Sequence, residues 1–316
     1  MEPSLPNFNM ILQQNTVLTI LQRIFLFFGF RFSHEIPGAR PVLNYFIISV
    51  NLVCSFAVCC WSTHMFYEIG LSSGKVEIDH ICFVMSYAVL QYSCLYVYLH
   101  SCINCRKIHK FVFDLARLLL SYKPEEILMT RAKKWLIIMV SATVVHTLWN
   151  TMITIIGTIA RVNQMNSTGY SGFKNEILQI IIQVMVCLWV IINQSFRLFY
   201  VYFIVFVCKM LCLFYDHLIS SETQNEIQVT LAERQIRHHK VSTLVRQADD
   251  IFAPFMLLSL IIQTGYLIMA CRTAKFIILP TETTVMILEL GQIGWHLFMF
   301  ILDAVCCSQL NEKASK

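Results

Sequence analysis

Residues 177–208 read ILQIIIQVMVCLWVIINQSFRLFYVYFIVFVC, an apolar run broken by a single charge, Arg197. A helix rises about 1.5 Å per residue, so the stretch from Ile177 to Arg197 already covers the ~30 Å hydrocarbon core of a bilayer. Apolar sequence nevertheless continues through Tyr200, Phe203, Phe206, Leu211, Phe214 and Leu218. This predicts a membrane-spanning helix that projects past the bilayer, with Arg197 snorkelling at the inner interface. The projection needs a cover. Residues 226–250 supply one, because Ile227, Leu231, Val241, Leu244, Val245 and Ala248 recur at roughly helical spacing. Ser220, Ser221, Glu222, Thr223 and Asn225 mark the break, giving a helical hairpin below the membrane. Its residual apolar surface suits either docking on neighbouring subunits or packing within its own.

Working outward, residues 42–67, 81–103, 135–160 and 251–271 lack any Lys, Arg, Asp or Glu, and 283–302 carries only Glu289. The total is six predicted transmembrane helices, an all-α polytopic membrane protein. Composition agrees. The 316 residues are 57% hydrophobic and 14% charged, against ~25% charged in an ordinary globular chain, and mean hydropathy is +0.62. An extended soluble domain is excluded, because its surface would need polar residues that this chain does not have.

Orientation follows from charge. With the N-terminus inside, 18 of the 24 Lys and Arg residues fall in cytoplasmic segments and five outside, as retention of positive charge in the cytoplasm requires. The net charge of +5 is thus a membrane pattern rather than a nucleic-acid footprint. The sequon Asn166-Ser167-Thr168 lies in a loop this topology places outside, whereas the one at Asn193 lies within a span. The chain then divides into a cytoplasmic N-terminal segment (1–41), four transmembrane helices (42–207), cytoplasmic anchor helices (208–250), two more transmembrane helices (251–305) and a cytoplasmic tail (306–316). The apolar stretch 17–30 has no basic flank ahead of it and is interrupted by Arg23, so it reads as an interfacial helix, with a re-entrant segment as the alternative.

No catalytic signature is present. There is no Gly-rich phosphate loop, nucleophile elbow, His-Glu-x-x-His or paired aspartate at membrane depth, and no cofactor motif. The 13 cysteines lie mostly in spans or at their cytoplasmic ends, which argues against a disulfide framework. Cys102 and Cys105, near His100 and His109, lack the second paired element that a closed zinc site needs, so no metal is predicted. Cys306 and Cys307 are candidates for palmitoylation or plain buried thiols.

Polar residues inside spans are costly and usually face a cavity or a partner helix. On the last span Glu289, Gln292 and His296 share one face. The third span adds His146, Trp149 and Asn150, and the fourth adds Gln183, Trp189, Asn193 and Gln194. Tyr87 and Gln91 on the second span and Gln263 and Tyr266 on the fifth reach similar depths. Aromatics interleaved with amides suit a small neutral or hydroxyl-rich ligand, since rings supply area and amides both donate and accept. The competing reading is that each amide only bonds a neighbouring helix.

Residues 237–269, RHHKVSTLVRQADDIFAPFMLLSLIIQTGYLIM, join a basic amphipathic helix with Leu244-Val245 to Ala248-Asp249-Asp250-Ile251-Phe252 and an apolar span. This stretch resembles arthropod gustatory receptors before and within their fifth helix. The inside N-terminus, the short apolar element before the first span, the long fourth helix and the hairpin are similar along nearly the whole chain. The resemblance implies a tastant-gated, non-selective cation channel of the plasma membrane, built as a homo- or hetero-tetramer anchored by the hairpins. It also implies tastant binding among the outer halves of the helices. The family ends in a seventh, pore-lining helix, and residues 307–314 are similar to the link before it. The resemblance therefore implies a C-terminally truncated receptor, a splice form or an incomplete gene model.

Two other classes fit a polytopic helical chain. A G-protein-coupled chemoreceptor is opposed by the charge count and by the lack of Asp-Arg-Tyr and Asn-Pro-x-x-Tyr elements. A small membrane carrier is opposed by the lack of an internal repeat.

Overall fold

The computed structural model describes residues 16–28, 41–70, 78–121, 126–168, 176–223, 231–278 and 283–315. They form α1 (Thr16–Phe27), α2 (Pro41–Gly70), α3 (Ile78–Ser121), α4 (Glu126–Thr168), α5 (Glu176–Thr223), α6 (Leu231–Ile278) and α7 (Thr283–Ser315). Helix is what lipid demands of a single segment, because every backbone polar group is satisfied within it. Side-chain hydroxyls follow the same logic. Thr63, Thr143, Ser195 and Thr264 each donate to the carbonyl four residues back, at 2.6–2.9 Å.

Among the described residues, four stretches are long and apolar enough to cross a membrane: Thr130–Ile153, Cys187–Leu218, Gln235–Met269 and Ile293–Glu312. A shorter apolar stretch, Tyr45–Cys60, lies in α2. On α4, Ile137, Val145 and Leu148 are exposed, and on α6 so are Leu257, Ile261 and Ile268. Such surfaces cost nothing against acyl chains and mark a multi-pass membrane protein.

Helix α5 is the hub, and it touches α2, α3, α4, α6 and α7. Every residue from Phe196 to Cys208 is buried, so the apolar continuation that opened the sequence is covered from all sides. Its contacts are mostly edge-to-face rings. Phe25 of α1 meets Phe199 and Phe203 at 5.0 and 5.1 Å, and Tyr200 meets Phe255 of α6 at 5.0 Å. Pairs of this kind add roughly 0.5–1.5 kcal/mol each beyond area burial.

The segment read as an interfacial helix forms α1, and Leu21, Phe25 and Phe28 are buried against the bundle. Two sequence expectations change here. Ser220 to Thr223 do not break α5, which stays helical through Thr223, while residues 224–230 lie outside the described set. At 48 residues each, α5 and α6 extend roughly 72 Å at about 1.5 Å per residue, more than twice the bilayer core. Asn166 falls in the last turn of α4 rather than in a loop, and its side chain lies outside the described set.

Two polar ties hold the bundle in register. Lys209 of α5 donates to Gln309 Oε1 of α7 at 2.6 Å and lies 5.4 Å over the Trp135 ring of α4. On α6, Pro254 removes the N–H that would meet the Asp250 carbonyl. One residue on, the Ile251 carbonyl accepts from His100 Nε2 of α3 at 2.9 Å.

Candidate functional site

Helix α4 brings His146, Trp149 and Asn150 to one face, since residues three and four apart are neighbours. His146 is buried, with its ring 4.4 Å from Trp295 of α7 and 6.4 Å from Tyr202 of α5. One turn further along α4, the edge of the Trp149 indole abuts Gly291. A Cβ at Gly291 would sit 2.5 Å from Trp149 Cζ2, so glycine is what lets the two helices close. Elsewhere on α7, the His296 ring lies tilted 4.4 Å from that of Tyr266 of α6.

The cluster continues along α7. Asp303 is fully buried, and Gln263 Nε2 of α6 donates to its Oδ2 at 3.3 Å and to Ser259 Oγ at 3.0 Å. Four helices, α4 to α7, thus converge on a wall of two histidines, two tryptophans and two tyrosines with an amide and a carboxylate at one end.

A second polar group joins α2 to α5. Ser55 Oγ lies 2.7 Å from the Asn51 carbonyl and 2.9 Å from Asn193 Oδ1. One hydroxyl proton serves one acceptor at a time, so Ser55 shares it between these two oxygens. Asn193 is buried here, which closes it to glycosylation. Gln91 is buried on α3, one turn before Cys94.

Arg197 of α5 is only 7% exposed and sits roughly 18 Å along the helix from Lys209 at about 1.5 Å per residue. Its charge acts on His146, His296 and Cys94. Hydropathy locates the end of a span but not the side on which neighbouring helices close over it.

Of the sequence candidates, His146, Trp149, Gln263 and Tyr266 come together around α7. Asn193 meets Ser55 of α2, Gln91 and Gln194 are buried elsewhere on α3 and α5, and the Trp189 indole nitrogen is enclosed without a partner. The side chains of Tyr87, Gln183, Glu289 and Gln292 lie outside the described set. Sequence reasoning missed Tyr202, Trp295, Ser259 and Asp303. Trp295 adjoins His296 and could have been found from that alone, whereas Asp303 stood just beyond the last apolar run.

Among the described residues no three His, Cys, Asp or Glu side chains come together as a metal site. Burial also raises the Cys105 thiol above its ordinary value, which disfavours the thiolate that zinc takes. Cys306 is buried and so closed to an acyl chain, while the Cys307 side chain lies outside the described set.

No family model and no curated protein sequence matches the chain. The fold does have a counterpart. It superposes on the insect olfactory receptor OR5 from Machilis hrabei, in complex with eugenol, with a TM-score of 0.61 over 97% of this chain and 88% of that one. At 14% identity the likeness is one of architecture. The chain shares the fold of that receptor.

Proposed function

We propose that this chain is a gustatory-type chemoreceptor subunit that binds a small tastant between α4, α5, α6 and α7 and contributes to a non-selective cation channel. The observation that carries the reading is the likeness, over nearly the whole chain, to a receptor in complex with a small organic compound. The basic amphipathic stretch 237–250 leading into an apolar span supports the gustatory branch. In this reading six spans cross the plasma membrane with the N-terminus in the cytosol. The far ends of α5 and α6 form the anchor through which four subunits assemble. Aromatic walls with a few buried amides suit a small ligand, because area supplies affinity and the amides supply orientation.

The test is electrical. Cells expressing the chain with a full-length receptor subunit are challenged with sugars, bitter alkaloids and amino acids while cation current is recorded. A ligand-evoked current that Trp149→Ala or Tyr266→Ala abolishes is the expected result. A chain that reaches the cell surface yet evokes no current with any of these classes overturns the proposal.

A further inference from the structure

Helix α4 carries a continuous exposed stripe. Ile138, Val145, Leu148, Met152 and Ile155 are all exposed and recur at helical spacing, so one face is apolar over roughly 26 Å at about 1.5 Å per residue. Acyl chains cover such a face without cost. Toward the start of α4 the stripe turns basic within one turn. Lys133 stands four residues before Ile137, Lys134 four before Ile138 and Arg131 three before Lys134, and all three cations are exposed. Residues at these spacings are neighbours on one face. Trp135, half-buried on the core beside them, marks headgroup depth, where indoles gather. Its ring carries a fourth cation, Lys209 of α5, at 5.4 Å.

Neighbouring helices repeat the pattern, and one reverses it. Helix α1 packs against α4 and sets exposed Arg23 three residues before exposed Leu26. On α3, exposed Arg106 and Lys107 follow exposed Ile103. On α6, by contrast, Asp249 and Asp250 are the exposed charges before exposed Leu257. The basic boundary is therefore not a uniform collar round the bundle, and α4, with Trp135 and Lys209 beside it, carries its densest part.

We propose that the start of α4 is a docking site for an anionic phospholipid, with Arg131, Lys133 and Lys134 holding the headgroup and the acyl chains lying along Ile137, Ile138 and Val145. Complementarity selects this occupant. A cationic cluster that passes directly into an apolar stripe matches a molecule in which an anionic head and apolar tails are joined in the same order. A soluble anion leaves the stripe unused, and a zwitterionic lipid leaves the positive charge uncompensated. In the orientation proposed above this end of α4 meets the cytoplasmic leaflet, where anionic lipids attract basic segments. The site is separate from the ligand wall between α4 and α7, and it does not depend on the receptor reading.

The full chain, purified in a neutral detergent, is titrated with dioctanoyl phosphatidylserine, dioctanoyl phosphatidylcholine and inorganic phosphate. Bound lipid is counted by native mass spectrometry and melting is followed in parallel. Phosphatidylserine is expected to bind saturably and to raise the melting temperature. Phosphatidylcholine should bind at least about fivefold more weakly, the factor one basic residue supplies at an anionic surface. The double variant Lys133→Gln/Lys134→Gln removes most of that preference, and Lys133→Arg/Lys134→Arg keeps it. Arg117→Gln/Lys240→Gln makes the same change in charge on exposed residues roughly 20 Å or more along their helices from Ile103 and Leu257, and it leaves the preference unchanged. Equal affinity for the two lipids, an undiminished preference in Lys133→Gln/Lys134→Gln, or an equal loss in Arg117→Gln/Lys240→Gln overturns the inference. The same stabilisation by inorganic phosphate would also overturn it, because the stripe would then have no part. None of these results touches the receptor reading, which stands or falls on ligand-evoked current.

Discussion

His100 Nε2 of α3 donates to the Ile251 carbonyl of α6 at 2.9 Å, three residues before Pro254. A carbonyl only accepts, so this bond assigns the ring proton to Nε2. The bare Nδ1 then accepts from the Tyr200 hydroxyl of α5 at 3.0 Å. One imidazole thereby ties three helices together beside the proline. His100→Phe strands both partners and is expected to cost roughly 1–3 kcal/mol, since each loses its bond while still buried. Tyr200→Phe leaves the carbonyl bond in place and should cost about 1 kcal/mol. Melting of the purified variants checks the order, and equal losses would show that the two bonds are not separable.

Gly291 should not tolerate a methyl group. Gly291→Ala drives a Cβ into the Trp149 ring and is expected to destabilise by roughly 1–3 kcal/mol, the usual cost of overpacking. Trp149→Leu in the same chain should recover most of it. Gly265→Ala and Gly294→Ala meet nothing within 4 Å and serve as near-neutral controls. A double-mutant cycle that shows no coupling between positions 291 and 149 would contradict the packing.

Gln263→Leu removes the amide that donates to Asp303 and Ser259. A buried carboxylate that loses a donor costs more than a neutral group, so a loss of roughly 1.5–3 kcal/mol follows. Asp303→Asn in the Gln263→Leu background should restore stability, because the charge is then gone. Thermal melts of the three variants test this directly.

Alkylation separates two cysteines. Cys271 is exposed, whereas Cys105 is half-buried with its thiol raised by burial. Only the thiolate reacts. A raised thiol holds less thiolate at pH 8 and gains it as pH rises, so Cys105 should label slowly at pH 8 and catch up toward pH 10. Mass spectrometry of maleimide-treated protein reads both sites. A Cys105 rate that does not change with pH would refute the assignment.

If the topology proposed above is correct, Asn166→Gln abolishes the mobility shift produced by glycosidase treatment and Asn193→Gln leaves it unchanged. Asn193 is buried against Ser55, so a glycan there would require the bundle to open. A shift that follows Asn193 would reverse the reading.

The sequence by itself determined that the chain is a bundle of apolar helices, because a backbone in lipid has no other way to pair its own N–H and C=O groups. It also singled out His146, Trp149, Gln263 and Tyr266, because polar atoms in an apolar run stand out whatever surrounds them. Tertiary structure alone decided what those residues face. Helix rotation and pairing depend on side chains from other helices, which hydropathy along one segment does not encode. For that reason Arg197, which reads as an interfacial anchor, is covered by the bundle. For the same reason α1, which reads as lying in the interface, is packed on Phe199 and Phe203. Asp303 likewise becomes part of the site only because α6 carries Gln263 to the same depth.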